Sequence, residues 1–328
     1  MQIPAKYILT SAISQSLQRI EASREVIQTI QIPPDVETNI RRQSVLKSSL
    51  FSARIEGNPL TLAEVTNRPS KDQKKQEIFQ ILKALEQVHK RGARDISVSF
   101  VLRLHEIVMK GLTDTPGKYR QEVSAIFNSA GIAIYMPPPP RQVPGMIDRL
   151  IKFANSDKEQ FVPIRAMLTH YSFEKIHPFL DGNGRVGRLL LQAILEKNSY
   201  SMKGLVTIEE YLDTHRSEYY SALEESERDV TGYIEFMLEA LADVSEKAKE
   251  LILSKQKGDI HDFLLPRRSE ILRIIEEHPL VNFDMIRRRF LAINERTLRY
   301  DLKKLQDSGY IRKRGATKGV YYEVVKQT

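Results

Sequence analysis

The chain has 328 residues, 41% of them hydrophobic and 28% charged, so it is not a disordered or fibrous protein, and its length predicts two or three domains. It contains no cysteine, which excludes disulfide frameworks, thiolate nucleophiles and cysteine-ligated metals. The net charge of +8 indicates a polyanionic partner. No apolar run is long enough to span a membrane, and the N-terminus lacks a signal-peptide pattern, so we expect a cytoplasmic protein without membrane contact.

The N-terminal part of the chain has helical patterns. Residues Val36–Ile55 run without proline or glycine, and Gly57 and Pro59 then supply a stop. Thr61 and Glu64 have the spacing of a capping box, which predicts the start of another helix. Two more helices are predicted further on, at Lys71–Arg91 and Ser97–Lys110.

The pattern then changes to short strands. Val123–Phe127 and Ile132–Met136 are apolar and flank the turn-forming residues Asn128–Gly131, which predicts a β-hairpin with a four-residue loop. The prolines Pro137–Pro140 end the second strand. Helical patterns return in five later segments, at Gln142–Ala154, Ile164–Lys175, Arg185–Glu196, the Glu209–Glu227 region and Gly232–Leu253.

The last 64 residues, Leu265–Thr328, carry most of the positive charge. They hold 15 Lys and Arg against 8 Asp and Glu, a net charge of +7, which leaves +1 for the rest of the chain. Three helices are predicted at Arg268–His278, Asn282–Phe290 and Asn294–Asp307, followed by a hairpin over residues 310–325. This order resembles a winged helix-turn-helix domain whose third helix would be the recognition helix.

The basic residues of this domain lie mainly on the predicted recognition helix and wing, which favours binding to DNA over a role in docking or dimerisation. The candidate contacts to bases and phosphates are Arg296, Arg299, Lys303, Lys304, Lys313, Arg314 and Lys318.

The densest group of chemically useful residues is the segment HPFLDGNGRVGR, from His177 to Arg188. Its glycines match G-x-G-x-x-G, but the segment before them has a helical pattern, whereas a dinucleotide-binding loop follows a strand. No Walker A sequence occurs in the chain, and its seven histidines include no zinc-binding H-E-x-x-H. The match to a dinucleotide fingerprint is therefore accidental.

The segment has the parts of a phosphate site. Gly182 and Gly184 allow backbone amides to converge where a helix begins, and such a helix start favours an anion. Arg185 and Arg188 are three residues apart on that helix, so we expect both guanidinium groups to bind one polyphosphate.

Two further side chains add reactivity. Asp181 offers a carboxylate oxygen of the kind that Mg²⁺ prefers, and Mg²⁺ commonly bridges phosphates. His177, placed beside the loop by Pro178, is the nearby side chain that accepts a proton close to neutral pH. Together these residues predict a site that transfers a phosphorylated group.

The segment matches every fixed position of H-P-F-x-[D/E]-G-N-G-R-x-x-R, and the chain resembles the Fic family on it, over roughly residues 43–225. The resemblance implies a mainly α-helical fold: a Fic-type helical bundle with a small β-hairpin flap, beside the C-terminal winged helix-turn-helix domain. It implies transfer of AMP from Mg-ATP, with ATP and Mg²⁺ as cofactors, to a Tyr, Thr or Ser hydroxyl of a target protein or of the chain itself. Gly117–Arg120 and the hairpin resemble the flap that holds the target's backbone.

By the same resemblance His177 is the catalytic base and Asp181 the metal ligand. The implied nucleotide-binding residues are Gly182, Asn183, Gly184, Arg185, Val186, Gly187, Arg188 and Tyr220.

A second family pattern, [S/T]-x-x-x-E-[G/N], matches Ser52–Gly57. Glu56 lies at the C-terminal end of its helix, where the helix dipole disfavours a carboxylate by about 0.3–1 kcal/mol and a nearby cation would offset that cost. The resemblance implies that Ser52 and Glu56 are inhibitory and that Glu56 pairs with Arg188, which removes the arginine that orients the γ-phosphate.

We therefore expect an N-terminal helical region with the inhibitory helix at residues 1–95, a catalytic core at 96–253, a linker at 254–264 and the winged-helix domain at 265–328. Two alternatives stay open. A Fic enzyme could instead remove AMP or transfer another phosphorylated group, or the chain could be a DNA-binding regulator whose Fic domain senses nucleotide. The sequence also leaves open whether the protein is a homo-oligomer.

Overall fold

The computed structural model describes residues 2–67, 71–92, 94–127, 133–257, 264, 266–278, 280–291, 293–315 and 319–325. Within these ranges the chain is mainly helical, and it forms two compact units. The first unit comprises residues 1–29 and 41–249, and the second comprises residues 30–40 and 250–328. None of the helices in these ranges has the length and apolar character needed to cross a membrane.

The chain up to residue 257 forms eleven helices and one hairpin in the described ranges. A short 3₁₀ turn, Pro140–Gln142, precedes the sixth helix. In chain order the elements are α1 (Ser11–Thr29), α2 (Pro34–Ile55), α3 (Leu62–Asn67), α4 (Gln73–Arg91), α5 (Val98–Val108), β1 (Ile126–Phe127), β2 (Ala133–Tyr135), α6 (Val143–Ala154), α7 (Val162–Ile176), α8 (Asn183–Lys197), α9 (Ile208–Thr214), α10 (Arg216–Leu223) and α11 (Thr231–Lys257).

Helices α7 and α8 form the centre of the first unit. In α7, 13 of the 15 residues are buried, as expected of a helix covered on all sides. Helix α8 packs against α7, α4 and α5, and α6 packs on α7. The short loop between α7 and α8 therefore has a rigid support on both sides, and it carries the His177–Arg188 segment.

Several local predictions are confirmed. The capping box forms, because the Thr61 amide donates to Glu64 Oε2 (2.9 Å) and the Glu64 amide to Thr61 Oγ1 (3.4 Å). Strands β1 and β2 pair antiparallel, with Ile126 opposite Tyr135. They are shorter than the predicted strands, and the predicted hairpin loop lies outside the described residues.

The structure corrects other predictions. Helix α1 is not among the predicted helices, although its buried residues Ile13, Leu17, Ile20 and Ile27 have helical spacing. The Glu209–Glu227 region, for which a helical pattern was predicted, contains two helices, α9 and α10, separated at His215. Helix α11 continues to Lys257, so the expected linker begins with helical residues, and residues 258–263 lie outside the described ranges.

The C-terminal part of the second unit has the predicted order of three helices and a hairpin, namely α12 (Pro266–Glu277), α13 (Phe283–Arg289), α14 (Glu295–Asp307), β3 (Ile311–Arg314) and β4 (Tyr321–Val324). Strands β3 and β4 pair antiparallel, and Tyr322 also forms a β-bridge with Val281. This part has its own apolar core, which includes Ile271, Leu298 and Leu302.

Candidate active site

The loop between α7 and α8 is closed by a side chain. Asn183 Oδ1 accepts a hydrogen bond from the Phe179 amide (2.9 Å), and Asn183 Nδ2 donates to the Phe179 carbonyl (2.8 Å). The Asn183 side chain is almost completely buried. Its side-chain amide therefore fixes the loop, and the predicted role of Asn183 in nucleotide binding stays a prediction.

Both ends of this loop have left-handed backbone. His177 caps α7 with φ 48° and ψ 62°, and its amide donates to the Phe173 carbonyl (3.0 Å). Gly182 precedes α8 with φ 80°, a conformation that favours glycine. The loop thus turns sharply enough to bring the His177 ring and the first amides of α8 to the same cavity.

The start of α8 is the predicted anion site. The amides of the first residues of a helix lack intrahelical acceptors, and no residue that the structure describes accepts a hydrogen bond from the amides of Asn183, Gly184 or Arg185. A carboxylate lies at this point, since a β-carbon on Gly184 would overlap Glu56 Oε1. The helix start therefore holds an anion that belongs to the protein itself.

The second partner of that carboxylate is Arg188. Arg188 Nη2 lies 2.8 Å from Glu56 Oε1 and donates to the Ser52 carbonyl (2.9 Å), while Nε donates to Ser52 Oγ (3.1 Å). The Arg188 side chain is 1% exposed and that of Glu56 is 28% exposed. All three bonds of this buried guanidinium thus go to the end of α2, which is the segment that the sequence predicts to be inhibitory.

The two arginines of the motif do not converge. Arg185 Nη1 lies 2.6 Å from Glu77 Oε1 on α4, and Nη2 lies 2.9 Å from Asp181 Oδ1. Arg188 lines the cavity, whereas Arg185 is buried away from it by its acidic partners. The expectation that both guanidinium groups face one polyphosphate is therefore not met in this conformation.

A cavity of about 720 Å³ extends from this site. Glu56, Gly184, Arg188 and His177 line it, together with residues of the hairpin, α7 and α10. Volumes of this order accommodate small molecules and cofactors. The remaining lining residues are Ile126, Tyr135, Glu174, Lys175, Arg216, Ser217, Tyr219, Tyr220, Ser221, Leu223 and Glu224.

Three other predicted nucleotide-binding residues differ in whether they line the cavity. Tyr220 lines the cavity, and its hydroxyl donates to the Ile55 carbonyl (3.2 Å) at the end of α2. Val186 is fully buried in the core. Gly187 packs beside Glu174, where a β-carbon would overlap that carboxyl group. Of these three residues, Tyr220 is the one that faces the cavity.

The surroundings of His177 favour the neutral form of its imidazole. Burial lowers the pKa of His177, and the positive charge of Arg120 lowers it further, against the opposing charges of Glu56 and Asp181. Its Nδ1 atom is shielded from solvent and has no hydrogen-bond partner among the residues that the structure describes. A neutral imidazole in a cavity is suited to accept a proton at neutral pH.

Sequence reasoning missed two residues that support the loop. His105 stacks on Phe179 with ring centroids 3.7 Å apart. Its Nδ1 accepts from the Gly117 amide (2.8 Å), so its Nε2 carries the proton and donates to the Asp181 carbonyl (3.1 Å). Its detectable sequence signal is a histidine on the apolar face of α5. The other residue, Arg120, was predicted only as part of the flap-like segment Gly117–Arg120, and its contacts with the loop carry no local signal.

Glu174 is a buried carboxyl group inside the cavity that the sequence also gave no reason to select. Burial raises the pKa of Glu174 to about 8, although the charge of Arg188 opposes this shift. Its Oε1 atom has no hydrogen-bond partner among the described residues, and His170 Nε2 lies 3.7 Å from it. The absence of a side chain at Gly187 leaves room for this carboxyl group between α7 and α8.

Gly182→Ala should lower the free energy of unfolding by about 1–3 kcal/mol, because Gly182 has a positive φ and a β-carbon would lie 2.6 Å from Met109 Sδ. Denaturant unfolding measures the change. Gly145→Ala in α6 is the matched control, since a β-carbon there meets nothing within 4 Å, and it should leave stability unchanged or raise it by up to about 1 kcal/mol. Equal stability of the two variants would contradict the described loop geometry.

Comparison with known proteins identifies the domain. Residues 95–195 match the model of the Fic/DOC family. A protein of Aquifex aeolicus (strain VF5) named "Probable protein adenylyltransferase" is 31% identical over 231 residues, which are 70% of this chain and 65% of that protein. "Protein adenylyltransferase Fic" of Drosophila melanogaster is 26% identical over 260 residues, which are 75% of this chain and 50% of that protein. The chain thus covers less than two thirds of either relative.

Solved structures agree with the sequence match. The structure of a Fic family protein from Desulfovibrio desulfuricans G20 superposes with a TM-score of 0.68 at 25% sequence identity. The match covers 100% of this chain and 99% of the Desulfovibrio chain. Fic-1 from C. elegans has a TM-score of 0.60 at 20% identity over 75% of this chain and 73% of that one, which shows a shared fold. The chain therefore contains a Fic/DOC family domain, whose matched residues 95–195 include the loop between α7 and α8.

Proposed function

We propose that the chain is a protein adenylyltransferase, which transfers AMP from ATP to a Tyr, Thr or Ser hydroxyl of a target protein or of the chain itself, and that Glu56 holds it in an inhibited state. The observation that carries this proposal is the convergence of His177, the free amides of α8 and Arg188 at one cavity. The names of the relatives from Aquifex and Drosophila support the reaction class.

The reaction needs a base and a site for phosphates. The hydroxyl oxygen of the target forms a bond to the α-phosphorus of ATP, the bond from that phosphorus to the bridging oxygen of the β-phosphate breaks, and pyrophosphate leaves. The hydroxyl proton goes to the neutral imidazole of His177. Transfer of this kind depends mainly on positioning and on neutralisation of charge, which the amides of α8 and Arg188 supply.

Arg188 reaches phosphate only if its present partners leave. Glu56 accepts a hydrogen bond from the guanidinium of Arg188 and lies beside Gly184 at the start of α8. It therefore occupies both positions, beside Arg188 and at the start of α8, that the terminal phosphates of ATP would take. We infer that the protein as described is inhibited. A shift of the end of α2 that withdraws Ser52 and Glu56 together would free Arg188.

The apolar and aromatic residues that line the cavity suit the nucleoside. Ile126 and Leu223 are apolar, and Tyr219 and Tyr220 offer aromatic surface, so an adenine ring can be buried there by stacking and apolar contact. Tyr220 is tied to the end of α2 through the Ile55 carbonyl (3.2 Å), so the nucleoside wall and the inhibitory segment are in direct contact.

Asp181 fits the Mg²⁺ that the family uses with ATP. Its side chain is 65% exposed, and its Oδ1 accepts from the Gly182 amide (2.6 Å) and from Arg185 (2.9 Å). No group of three or more metal-binding side chains occurs in the described part of the chain. Mg²⁺ is commonly held by one or two carboxylates together with substrate phosphates, so Asp181 would hold the ion here and the ion would neutralise phosphate charge.

Two other functions compete for the same site. Phosphotransfer would move the γ-phosphate, and AMP removal would use Glu56 to position a water molecule. ATP labelled in the α-phosphate distinguishes them, because AMP transfer leaves this label on protein whereas phosphotransfer leaves only a γ-phosphate label. A nucleotide-sensing regulator would leave neither label. A protein that removes AMP would release the label from an AMP-modified target.

We propose further that the C-terminal part is a winged helix-turn-helix domain that binds duplex DNA. Helix α14 turns Leu298, Leu302 and Leu305 into the core, and its buried Asp301 holds Arg268 of α12 (3.0 Å), so the helix is firmly seated. Its opposite face is exposed and basic, as are the end of α13 and strand β3.

The exposed basic residues fall into two groups. Arg287 and Arg299 lie close to Glu295, and Arg312 and Arg314 lie close to Glu323. The second group pairs with no carboxylate among the residues that the structure describes, and it consists of Arg288, Arg289, Arg296, Lys303 and Lys313. The predicted contact Lys304 lies near the Tyr300 ring, and Lys318 lies outside the described residues.

Affinity of the full chain for duplex DNA should fall by roughly two to three orders of magnitude between about 50 and 200 mM salt, because about five phosphate contacts release counterions. Fluorescence anisotropy with a labelled duplex measures this. Lys303→Ala should reduce the slope of log affinity against log salt by about one, whereas Arg103→Ala, an exposed change in α5, should not. Absence of binding at low salt would instead favour a docking or dimerisation role.

A further inference from the structure

Arg120 is a buried cation at the junction of the site and the hairpin. Its side chain is almost inaccessible to solvent, and no carboxylate in the described part of the chain pairs with it. A buried charge without an acidic partner needs other groups to replace its hydration. In Arg120 these groups are backbone carbonyls, and they belong to two separate segments.

The first segment is the C-terminal end of α7. Arg120 Nε donates to the His177 carbonyl (2.7 Å), Nη2 lies 3.5 Å from the Ile176 carbonyl, and the Arg120 amide donates to the Pro178 carbonyl (3.0 Å). Three successive carbonyls around His177 are therefore bound by one residue. These carbonyls are at the negative end of the helix dipole, which favours a cation.

The second segment is the hairpin. Arg120 Nη1 donates to the Glu122 carbonyl (2.9 Å), and Nη2 donates to the Pro138 carbonyl (2.5 Å). Residue 122 precedes β1 and residue 138 follows β2, so the guanidinium closes the base of the hairpin. Ile126 of β1 and Tyr135 of β2 line the same cavity as His177.

The backbone of His177 needs such support. Its left-handed conformation is unfavourable for a residue other than glycine and persists only where surrounding contacts fix it. Its Nδ1 atom has no hydrogen-bond partner among the residues described, so this atom does not orient the ring. The position of the imidazole therefore depends on the backbone on which Arg120 acts.

The charge of Arg120 also acts on the imidazole. Of the charged groups that face His177, Arg120 lowers its pKa, while Glu56 from the end of α2 and Asp181 from the loop raise it. Glu174, one turn earlier on α7, interacts through its backbone carbonyl and also raises it. Loss of the Arg120 charge would therefore raise the pKa of His177 and reduce the neutral fraction at a given pH.

We propose that Arg120 is a positioning residue for His177: one guanidinium fixes the left-handed backbone of the histidine and joins it to the base of the β1–β2 hairpin. The base and the hairpin wall of the cavity are thereby held in one geometry. This inference rests on the proposed function, in which His177 is the base, and it adds a residue outside the His177–Arg188 motif to the machinery.

The test compares Arg120→Met and Arg120→Lys in the Glu56→Gly background, with Arg103→Met as the control for an exposed arginine. NMR titration of ring-labelled histidine reports the pKa of His177, assigned with His177→Ala. We expect this pKa to rise in Arg120→Met and to stay low in Arg120→Lys, which keeps the charge. This readout does not require AMP transfer, so it distinguishes failure of the inference from failure of the proposed function.

Kinetics supply the second readout. In Arg120→Met the acid limb of the pH profile should move to higher pH, and kcat should fall about 10²-fold with little change in KM for ATP. Arg120→Lys should keep the position of the acid limb but lose part of kcat, because an ammonium group cannot bind all of these carbonyls at once. If Arg120→Met does not fold, kcat of the Arg120→Lys variant tests the proposal.

The proposal is overturned if a folded Arg120→Met variant has an unchanged His177 pKa, or if kcat in Arg120→Lys equals that of the Glu56→Gly parent. A rise in the KM for ATP alone, with kcat and the acid limb of the pH profile unchanged, would also overturn it, since that result would place Arg120 in nucleotide binding.

Discussion

Glu56→Gly should transfer AMP about 10- to 100-fold faster than the unaltered chain. Removal of the carboxylate breaks the bond from Arg188 Nη2 (2.8 Å) and clears the start of α8, so the phosphates of ATP can take both places. A hydrogen bond to a charged group is worth about 1.5–3 kcal/mol, which corresponds to this range of rates. Transfer of label from α-labelled ATP to protein measures the rate.

Glu277→Gly is the matched control for this change. Glu277 is also a glutamate at the C-terminal end of a helix, α12, and it is exposed in the other unit. It should leave the rate unchanged. If Glu56→Gly labels no faster than the unaltered chain, Glu56 is not inhibitory.

His177→Ala, made in the Glu56→Gly background, should reduce transfer by about 10²- to 10⁴-fold, the range that general base catalysis supplies. The affinity for ATP should change little, because the amides of α8 and Arg188 hold the phosphates. Single-turnover transfer and equilibrium binding of ATP separate the two effects.

The control is His278→Ala, an exposed histidine just beyond α12, which should leave both quantities unchanged. Transfer that persists in the His177 variant would exclude this residue as the base. Loss of ATP binding along with transfer would mean that His177 acts on the fold of the loop instead.

Much of the site could be predicted from the sequence because its parts are contiguous. Pro178 and the glycines of the loop fix the backbone locally, so the end of α7, the turn and the start of α8 follow from neighbouring residues. The contact of Glu56 with Arg188 spans 132 positions, and local patterns do not reveal it. It was expected only because the Ser52–Gly57 segment resembles a family pattern.

The differences between the predicted and the observed positions of side chains have the same physical origin. The spacing of Arg185 and Arg188 places them near each other on α8, but the direction of Arg185 is decided by Glu77, 108 positions away on α4. Arg120 acts on His177 across 57 positions, and nothing in its local sequence shows this. Long-range partners decide where such side chains point, and a single sequence does not contain that information in a readable form.

Asn183 shows a different limit. Its residue type suits phosphate binding, yet its side chain bonds both backbone groups of Phe179, four positions away. A short polar side chain can serve either the backbone of its own loop or a ligand, and the sequence pattern is the same in both cases. In the structure the Asn183 side chain bonds the backbone of its own loop.

The central claim is that this site transfers AMP and that Glu56 restrains it. Intact-mass spectrometry of the Glu56→Gly variant after incubation with Mg-ATP tests both parts at once, with the unaltered chain measured beside it. We predict an added mass of one AMP group on the variant and far less of it on the unaltered chain. An added mass of one phosphate, equal modification of both proteins, or no modification of either would contradict this account.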